Sequence, residues 1–213
     1  MAGMEALINA FTTLLVTTDP PGLAPIFLGL TVGMTRAQRQ QTALRGTLIA
    51  FAILTVFALT GASVLSVLGI SLPAFRIAGG LLLFVIAFEM IFEKRQERKE
   101  KTSELAITKD HIHNLAVFPL AIPLISGPGS ISATILLAGN FPTPFQRAQL
   151  IAAIAAVFVL IYAALVIADR IDKILGQTGR AILTRLLGVL LSALAVQFVI
   201  DGLRATMTVY TGP

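Results

Sequence analysis

The chain has 213 residues, of which 56% are hydrophobic and 13% charged, and its mean hydropathy is +0.87. Soluble domains carry about 25% charged residues, and here 11 of the 27 charges fall within Glu93–Asp110, which leaves 16 for the other 195 residues. So few charges could not cover the surface of a soluble globule, which excludes a cytosolic enzyme and a nucleic-acid binder. The absence of cysteine excludes a disulfide scaffold. The composition therefore indicates an integral membrane protein.

Six stretches are long and apolar enough to cross a bilayer, which takes about 20 mostly apolar residues. In chain order they cover residues 5–32, 42–68, 73–92, 114–139, 148–168 and 183–206. None alternates apolar and polar residues with period two, as a membrane barrel would. We therefore predict an all-α integral membrane protein with six transmembrane helices and the lipid bilayer as its surroundings.

The first predicted span is interrupted near its middle by an Asp-Pro-Pro-Gly sequence. Asp favours the N-cap position and Pro the first helical turn, so a second half-helix is expected to begin here. Burying an ionisable residue in a membrane span costs free energy, so such a residue usually marks a functional site. Alternatively, this Asp acts only as a helix cap, and the nearby Thr hydroxyls only form hydrogen bonds within their own helix. The candidate residues are Thr17, Thr18, Asp19, Pro20, Pro21 and Gly22.

The second and third spans contain glycines typical of close helix packing, and Arg76 lies near the start of the third. They are followed by the run Glu93–Asp110, which has six basic and five acidic residues. We predict that this run forms a solvated loop that is at best partly helical.

The fourth span is also interrupted, at Ser-Gly-Pro-Gly. Ser126 is the predicted N-cap of a new half-helix, and Pro119 and Pro123 should loosen the half before it. The candidate site residues are Ser126, Gly127, Pro128, Gly129 and Ser130.

The fifth and sixth spans are rich in small residues, which would suit a homodimer and equally the packing of one copy's own bundle. Arg185 at the start of the sixth span, the deeper Gln197 and Arg76 of the third span are accessory candidates for the site. The two arginines could instead reach the membrane interface with their long side chains.

The two halves of the chain resemble each other. Pro21-Gly22 recurs as Pro128-Gly129 at an offset of 107, and Arg76-x2-Gly79 recurs as Arg185-x2-Gly188 at an offset of 109. Because each half has three spans, an odd number, the second copy should be inverted in the membrane. We predict repeat 1 over residues 1–92, a charged cytoplasmic loop over 93–112 and repeat 2 over 113–213.

The orientation follows from the basic residues in the loops. The loops between spans 1 and 2, 3 and 4, and 5 and 6 hold twelve Lys and Arg, against Arg147 and Arg204 on the other side. Both termini are therefore expected outside the cytoplasm.

Inverted symmetry would point both new half-helices with their N-termini at the bilayer centre, where their free N–H groups could bind an anion or a carboxylate. This arrangement favours a secondary transporter of a small solute. The alternatives are a passive channel and a membrane scaffold without a transport role. No nucleotide-binding motif, cofactor or resident metal is predicted beyond a transient Na⁺ site, and no arrangement of catalytic side chains within the spans indicates an enzyme.

The motifs around both interruptions, with Phe75-Arg-Ile-Ala-Gly-Gly and Leu183-Thr-Arg-Leu-Leu-Gly, closely resemble those of the MarC family over essentially the whole chain. This resemblance implies a six-span protein of the bacterial or archaeal inner membrane. It also implies transport of small neutral amino acids, such as glycine or alanine, which we expect to be coupled to H⁺ or Na⁺.

Overall fold

The computed structural model of the chain describes residues 2–107 and 115–210, and the described residues are almost entirely helical. The elements in chain order are α1 (Ala2–Thr18), α2 (Pro20–Leu30), α3 (Arg36–Val67), α4 (Leu72–Ile91), α5 (Lys94–Ile107), a π-helical segment (Ala116–Ile125), α6 (Pro128–Ala138), α7 (Pro144–Val166) and α8 (Ala168–Tyr210). Residues 108–114, which include the end of the predicted charged loop and the first residue of the predicted fourth span, lie outside the described residues.

Among the described residues, α3, α4, α7 and α8 are each long and apolar enough to cross a membrane, and the π-helical segment with α6 makes a fifth span if the bent pair is counted as one. Only 28 to 39% of the residues in the most apolar stretch of each of the four are buried inside the protein, so most of that apolar surface faces outward, as contact with lipid requires. The predicted all-helical membrane protein is confirmed. Helices α1 and α2, which have 17 and 11 residues, are not among these candidate spans, so a sixth span stays a prediction.

The first interruption lies between α1 and α2, as predicted. Asp19 has left-handed backbone angles, φ 54° and ψ 67°, a conformation that Asp adopts more readily than most residues. It precedes Pro20 and Pro21, which have no N–H to continue the helix of α1 and which suit the first turn of a new one. The Asp19 carboxylate accepts a hydrogen bond of 3.2 Å from the Gly22 N–H, so the predicted N-cap is confirmed.

The second interruption lies between the π-helical segment and α6, whose axes differ by 59°. Phe118 and Ile122, which precede Pro119 and Pro123, have extended backbone angles, so the predicted loosening before the interruption is confirmed. The predicted N-cap is wrong. Helix α6 starts at Pro128, which places Gly127 at the cap, while Ser126 is one residue too early and donates its hydroxyl to the Ala50 carbonyl at 3.1 Å.

The charged segment after α4 differs from the prediction of a solvated, at best partly helical loop. Lys94–Ile107 forms the helix α5, and Arg95 and Lys99 on it are buried, with 7% and 6% of their surface exposed. Residues four apart lie on the same side of a helix, so these two cations face the interior together. Glu97 and Lys101 on the same helix are exposed.

Helices α4 and α8 approach each other closely because glycines face the neighbouring backbone. A Cβ built on Gly80 of α4 would lie 2.8 Å from the Ala195 carbonyl oxygen, and one on Gly188 of α8 would lie 3.1 Å from that of Ala87. A side chain at either position would therefore push the two helices apart.

We expect Gly80→Ala to lower the free energy of unfolding by about 1–3 kcal/mol, which is the usual effect of overpacking. The higher helix propensity of Ala would offset part of this loss. Gly29→Ala is the matched control, because a Cβ there would have no atom of the described residues within 4 Å. Thermal unfolding of both variants in one detergent is the measurement. A midpoint for Gly80→Ala at or above that of Gly29→Ala would contradict the close packing of α4 on α8.

Candidate functional site

Asp19 is the centre of the site, with 1% of its surface exposed. Besides the Gly22 N–H, its carboxylate accepts a hydrogen bond of 3.4 Å from the Thr184 hydroxyl of α8. The Lys99 ammonium of α5 lies 3.8 Å from Oδ2. One carboxylate thus joins the start of α2, the middle of α8 and the buried face of α5.

The threonines before Asp19 are buried, and their hydroxyls are already used. Thr18 donates to the Leu14 carbonyl at 2.9 Å, and Thr17 donates to the carbonyl of Thr13. Both bonds lie within α1, which is the simpler of the two predicted roles for these hydroxyls. The Thr17 carbonyl, at the end of α1, has a different function because it accepts a hydrogen bond from the Arg95 guanidinium.

The second interruption presents backbone N–H groups. The Ser130 hydroxyl donates to the Ile125 carbonyl at 3.0 Å, and Gly127 caps α6 without a side-chain hydrogen bond. The helical ladder of α6 begins with the bond of 3.0 Å from the Ile131 N–H to the Gly127 carbonyl. The N–H groups of Gly129 and Ser130 precede it and so have no helical acceptor.

The two interruptions are neighbours in space. A Cβ built on Gly129 would lie 3.5 Å from Cγ2 of Thr17, so the first turn of α6 touches the last turn of α1. The structure therefore brings together the two motifs that the sequence singled out, although 107 residues separate them in the chain.

Arg95 and Lys99 are the site residues that the sequence analysis missed. Arg95 donates to the Thr17 carbonyl and to the Met90 sulfur, the latter at 2.9 Å, and Lys99 is the cation beside Asp19. Their spacing of four residues was visible in the sequence, but so was that of other charged pairs in the same run. The stronger signal was the unpaired Asp19, because a buried carboxylate needs a cation.

Burial, together with the nearby positive charge of Arg95, lowers the pKa of Lys99 from its ordinary value to about 7. Asp19 acts in the opposite direction but does not outweigh these effects. Burial also lowers the pKa of Arg95. Lys99 can thus change its charge near neutral pH, while arginines stay protonated in proteins.

Two cavities of opposite character lie beside α5. The acidic cavity, about 270 Å³, reaches from Gly22 and Thr184 to three carboxylates and one cation, namely Glu93, Glu97, Glu100 and Arg180. The basic cavity, about 300 Å³, is lined by Arg95, Arg98 and Lys99 and by the first turn of α6 with Gly129 and Ser130. The two interruptions thus open toward cavities of opposite charge.

The remaining sequence candidates occupy varied positions. Pro20 is buried, Pro21 and Gly127 are partly buried, and Pro128 is exposed. Of the accessory candidates, Arg185 pairs with Glu93 at 2.8 Å, Gln197 donates to Asp201 at 2.8 Å, and Arg76 lies near Gly139, where a Cβ would be 3.5 Å from its guanidinium. None of these contacts involves either interruption.

Residues 4–207 match the model of the MarC family integral membrane proteins. The chain belongs to the MarC family. The match covers both interruptions and α5, so the features above lie within the part of the chain that family members share.

Named relatives of this MarC protein occur in bacteria and archaea. It is 37% identical over 195 residues to a UPF0056 membrane protein of Archaeoglobus fulgidus, covering 91% of this chain and 90% of the relative. It is 34% identical over 194 residues to the UPF0056 membrane protein YhcE of Escherichia coli, covering 91% of this chain and 90% of the relative. It is 35% identical over 202 residues to a UPF0056 membrane protein of Aquifex aeolicus, covering 92% of this chain and 92% of the relative. No solved structure was found that matches the chain.

The site of this MarC protein offers three chemical functions in one place. Asp19 provides a buried carboxylate, Lys99 a cation that can lose its proton, and α6 backbone N–H groups that have no helical acceptor. Together they can bind a small polar or charged solute within a membrane protein.

Proposed function

We propose that this MarC protein is a secondary transporter of small solutes, and that its substrates are small neutral amino acids whose movement is coupled to H⁺ or Na⁺. The solute's carboxylate would lie at the helix starts, and its ammonium, or the coupling ion, at Asp19. Backbone carbonyls near Ser126 and Gly127 would complete an ion site.

The observation that supports the proposal is the contact between the two interrupted helices. Gly129 of one interruption meets Thr17 of the other, and the buried carboxylate of Asp19 lies beside them. Irregular backbone is tolerated in a membrane only where it is protein-buried or lines a cavity, and paired broken helices form the substrate and ion sites of many secondary transporters.

The cavities support a zwitterionic substrate. The acidic cavity would attract an ammonium and the basic cavity a carboxylate, and both border the region between the interruptions. Volumes of about 270 and 300 Å³ suit a small solute.

The proposal includes an architecture. Helices α1 to α4 would form one repeat of three spans and the π-helical segment with α6 to α8 the other, inverted with respect to the first, so that the two halves rock about the central site. The protein would lie in the inner membrane of a prokaryote, with both termini outside the cytoplasm and α5 inside, as the loop charges indicate.

The test is uptake of labelled glycine and alanine into proteoliposomes, with H⁺ and Na⁺ gradients imposed in turn. We expect accumulation that requires one of the two gradients and stops when that gradient is collapsed. Uptake that follows only the solute's own gradient, together with osmotic swelling of the vesicles, would indicate a passive channel instead. The absence of uptake under either gradient, with folded protein verified, would refute the amino acid substrate.

A further inference from the structure

The basic cavity contains more positive than negative charge. Three cations line it, namely Arg95, Arg98 and Lys99. Among the described residues, Arg98 pairs with Glu89 at 2.8 Å and Lys99 with Asp19 at 3.8 Å. Neither carboxylate lines the cavity itself, so its described lining favours a negatively charged group.

Lys99 is the cation whose hydrogen-bonding capacity is unused. Its side chain is 93% buried, and its Nζ has no hydrogen-bond partner in the part of the chain that the structure describes. The distance of 3.8 Å to Asp19 is an ion-pair contact but too long for a hydrogen bond. A buried ammonium with unsatisfied donors is unfavourable, so an acceptor in the cavity would stabilise it.

The start of α6 in the same cavity lacks the carboxylate that the start of α2 has. Ser126 stands 107 residues after Asp19, at the equivalent position of the second half. Its hydroxyl is committed to the Ala50 carbonyl, and α6 has no side-chain cap. The positive end of α2 is satisfied by the protein's own carboxylate, whereas that of α6 is open to one from outside.

We propose that the basic cavity is a monocarboxylate site, in which one carboxylate accepts hydrogen bonds from the N–H groups of Gly129 and Ser130 and from the Lys99 ammonium. The bound carboxylate caps the N-terminus of α6, as the Asp19 carboxylate caps that of α2. This site rests on the proposed function, because the carboxylate that it binds would belong to the transported amino acid. Lys99 is a residue of this site that determines specificity.

The test measures equilibrium binding to the purified full-length protein in detergent, which needs no transport. Acetate carries the carboxylate without an ammonium, methylammonium carries the opposite charge, and glycine carries both. We expect acetate and glycine to bind saturably and to compete, and methylammonium not to displace acetate. Acetate binding without glycine binding would support the carboxylate site and assign it to a carboxylate that does not belong to an amino acid. This result would stand even if the protein does not transport amino acids.

The decisive variant is Lys99→Met, for which we expect acetate affinity to fall at least tenfold. Lys101→Met is the matched control, because Lys101 is exposed on the same helix two residues later. Lys99→Arg keeps the charge and should retain most of the binding. Acetate that does not bind to the wild type, or that binds Lys99→Met and Lys101→Met equally, would overturn the proposal.

A pH series on the wild type tests the same residue without a substitution. The charged groups that act on Lys99 are Asp19, Arg95 and Arg98, the last paired with Glu89, while the Thr184 hydroxyl of α8 binds Asp19. The pKa of Lys99 is lowered to about 7, so the ammonium is present below that pH and lost above it. Acetate affinity should therefore fall by about tenfold or more between pH 6 and pH 9, and a flat profile would contradict binding by a Lys99 ammonium with this lowered pKa.

Discussion

Asp19→Asn should reduce gradient-driven uptake of glycine by about 30-fold or more, while the protein keeps its fold. Removal of one partner from a buried charged pair costs about 2 kcal/mol or more, which corresponds to that factor. Here the partner left behind is Lys99, 3.8 Å away, whose Nζ has no hydrogen-bond partner among the described residues. The side chain of Asn has the same shape, caps helices as well as Asp does and tolerates the left-handed conformation, so α2 can begin as before.

The matched control is Asp169→Asn, which removes an exposed carboxylate that pairs with Arg39 at 2.9 Å. Exposed ion pairs contribute about 0–1 kcal/mol, so both uptake and the unfolding temperature should stay near those of the wild type. If Asp19→Asn transports normally and differs from the wild type only in its unfolding temperature, Asp19 is only a helix cap.

Gly22→Ala should reduce uptake about as strongly as Asp19→Asn, although it changes no charge. A Cβ on Gly22 would overlap the Asp19 carboxylate and lie 2.8 Å from its Cγ, so the carboxylate would have to leave its position. The hydrogen bond from the Gly22 N–H would be lost, which costs about 0.5–2 kcal/mol of stability for a helix cap. Uptake rates and unfolding temperatures of the reconstituted variant are the measurements.

Gly29→Ala tests whether the effect is specific, because Gly29 lies in the same helix and a Cβ built on it would meet no described atom within 4 Å. It should leave uptake unchanged. The double variant Asp19→Asn with Gly22→Ala should be little worse than either single variant, because both act on one carboxylate. Effects that simply multiply in the double variant would show that Gly22 acts elsewhere.

Much of the fold could be predicted from the sequence, because apolar length and helix-breaking residues act locally. The interruption at Asp19 followed from the two prolines after it, and the loosened helix around Pro119 and Pro123 followed from their missing N–H groups. The N-cap of α6 was misplaced by one residue. Ser favours that position in general, but here its hydroxyl reaches the Ala50 carbonyl of α3, a contact that local sequence does not reveal.

Only half of the site could be found in the same way. Asp19 stands out because a carboxylate in an apolar span is rare. Arg95 and Lys99 are two of eleven charges in a hydrophilic run, and their burial depends on where α5 packs. A pattern of charges predicts a helix face but not what covers it, so the cations appeared only with the tertiary structure.

The ion pair between Asp19 and Lys99 has a consequence for biosynthesis. The ammonium is about 80 residues further along the chain than the carboxylate, and a ribosome adds about 5–20 residues per second. For roughly 4–16 s the growing chain therefore carries Asp19 without its cation, at a cost of about 2.5–3.5 kcal/mol if that residue has already entered the lipid. The apolar residues of α1 and α2 must hold the segment in place during this interval, and α5 completes the site only after α3 and α4 have been synthesised.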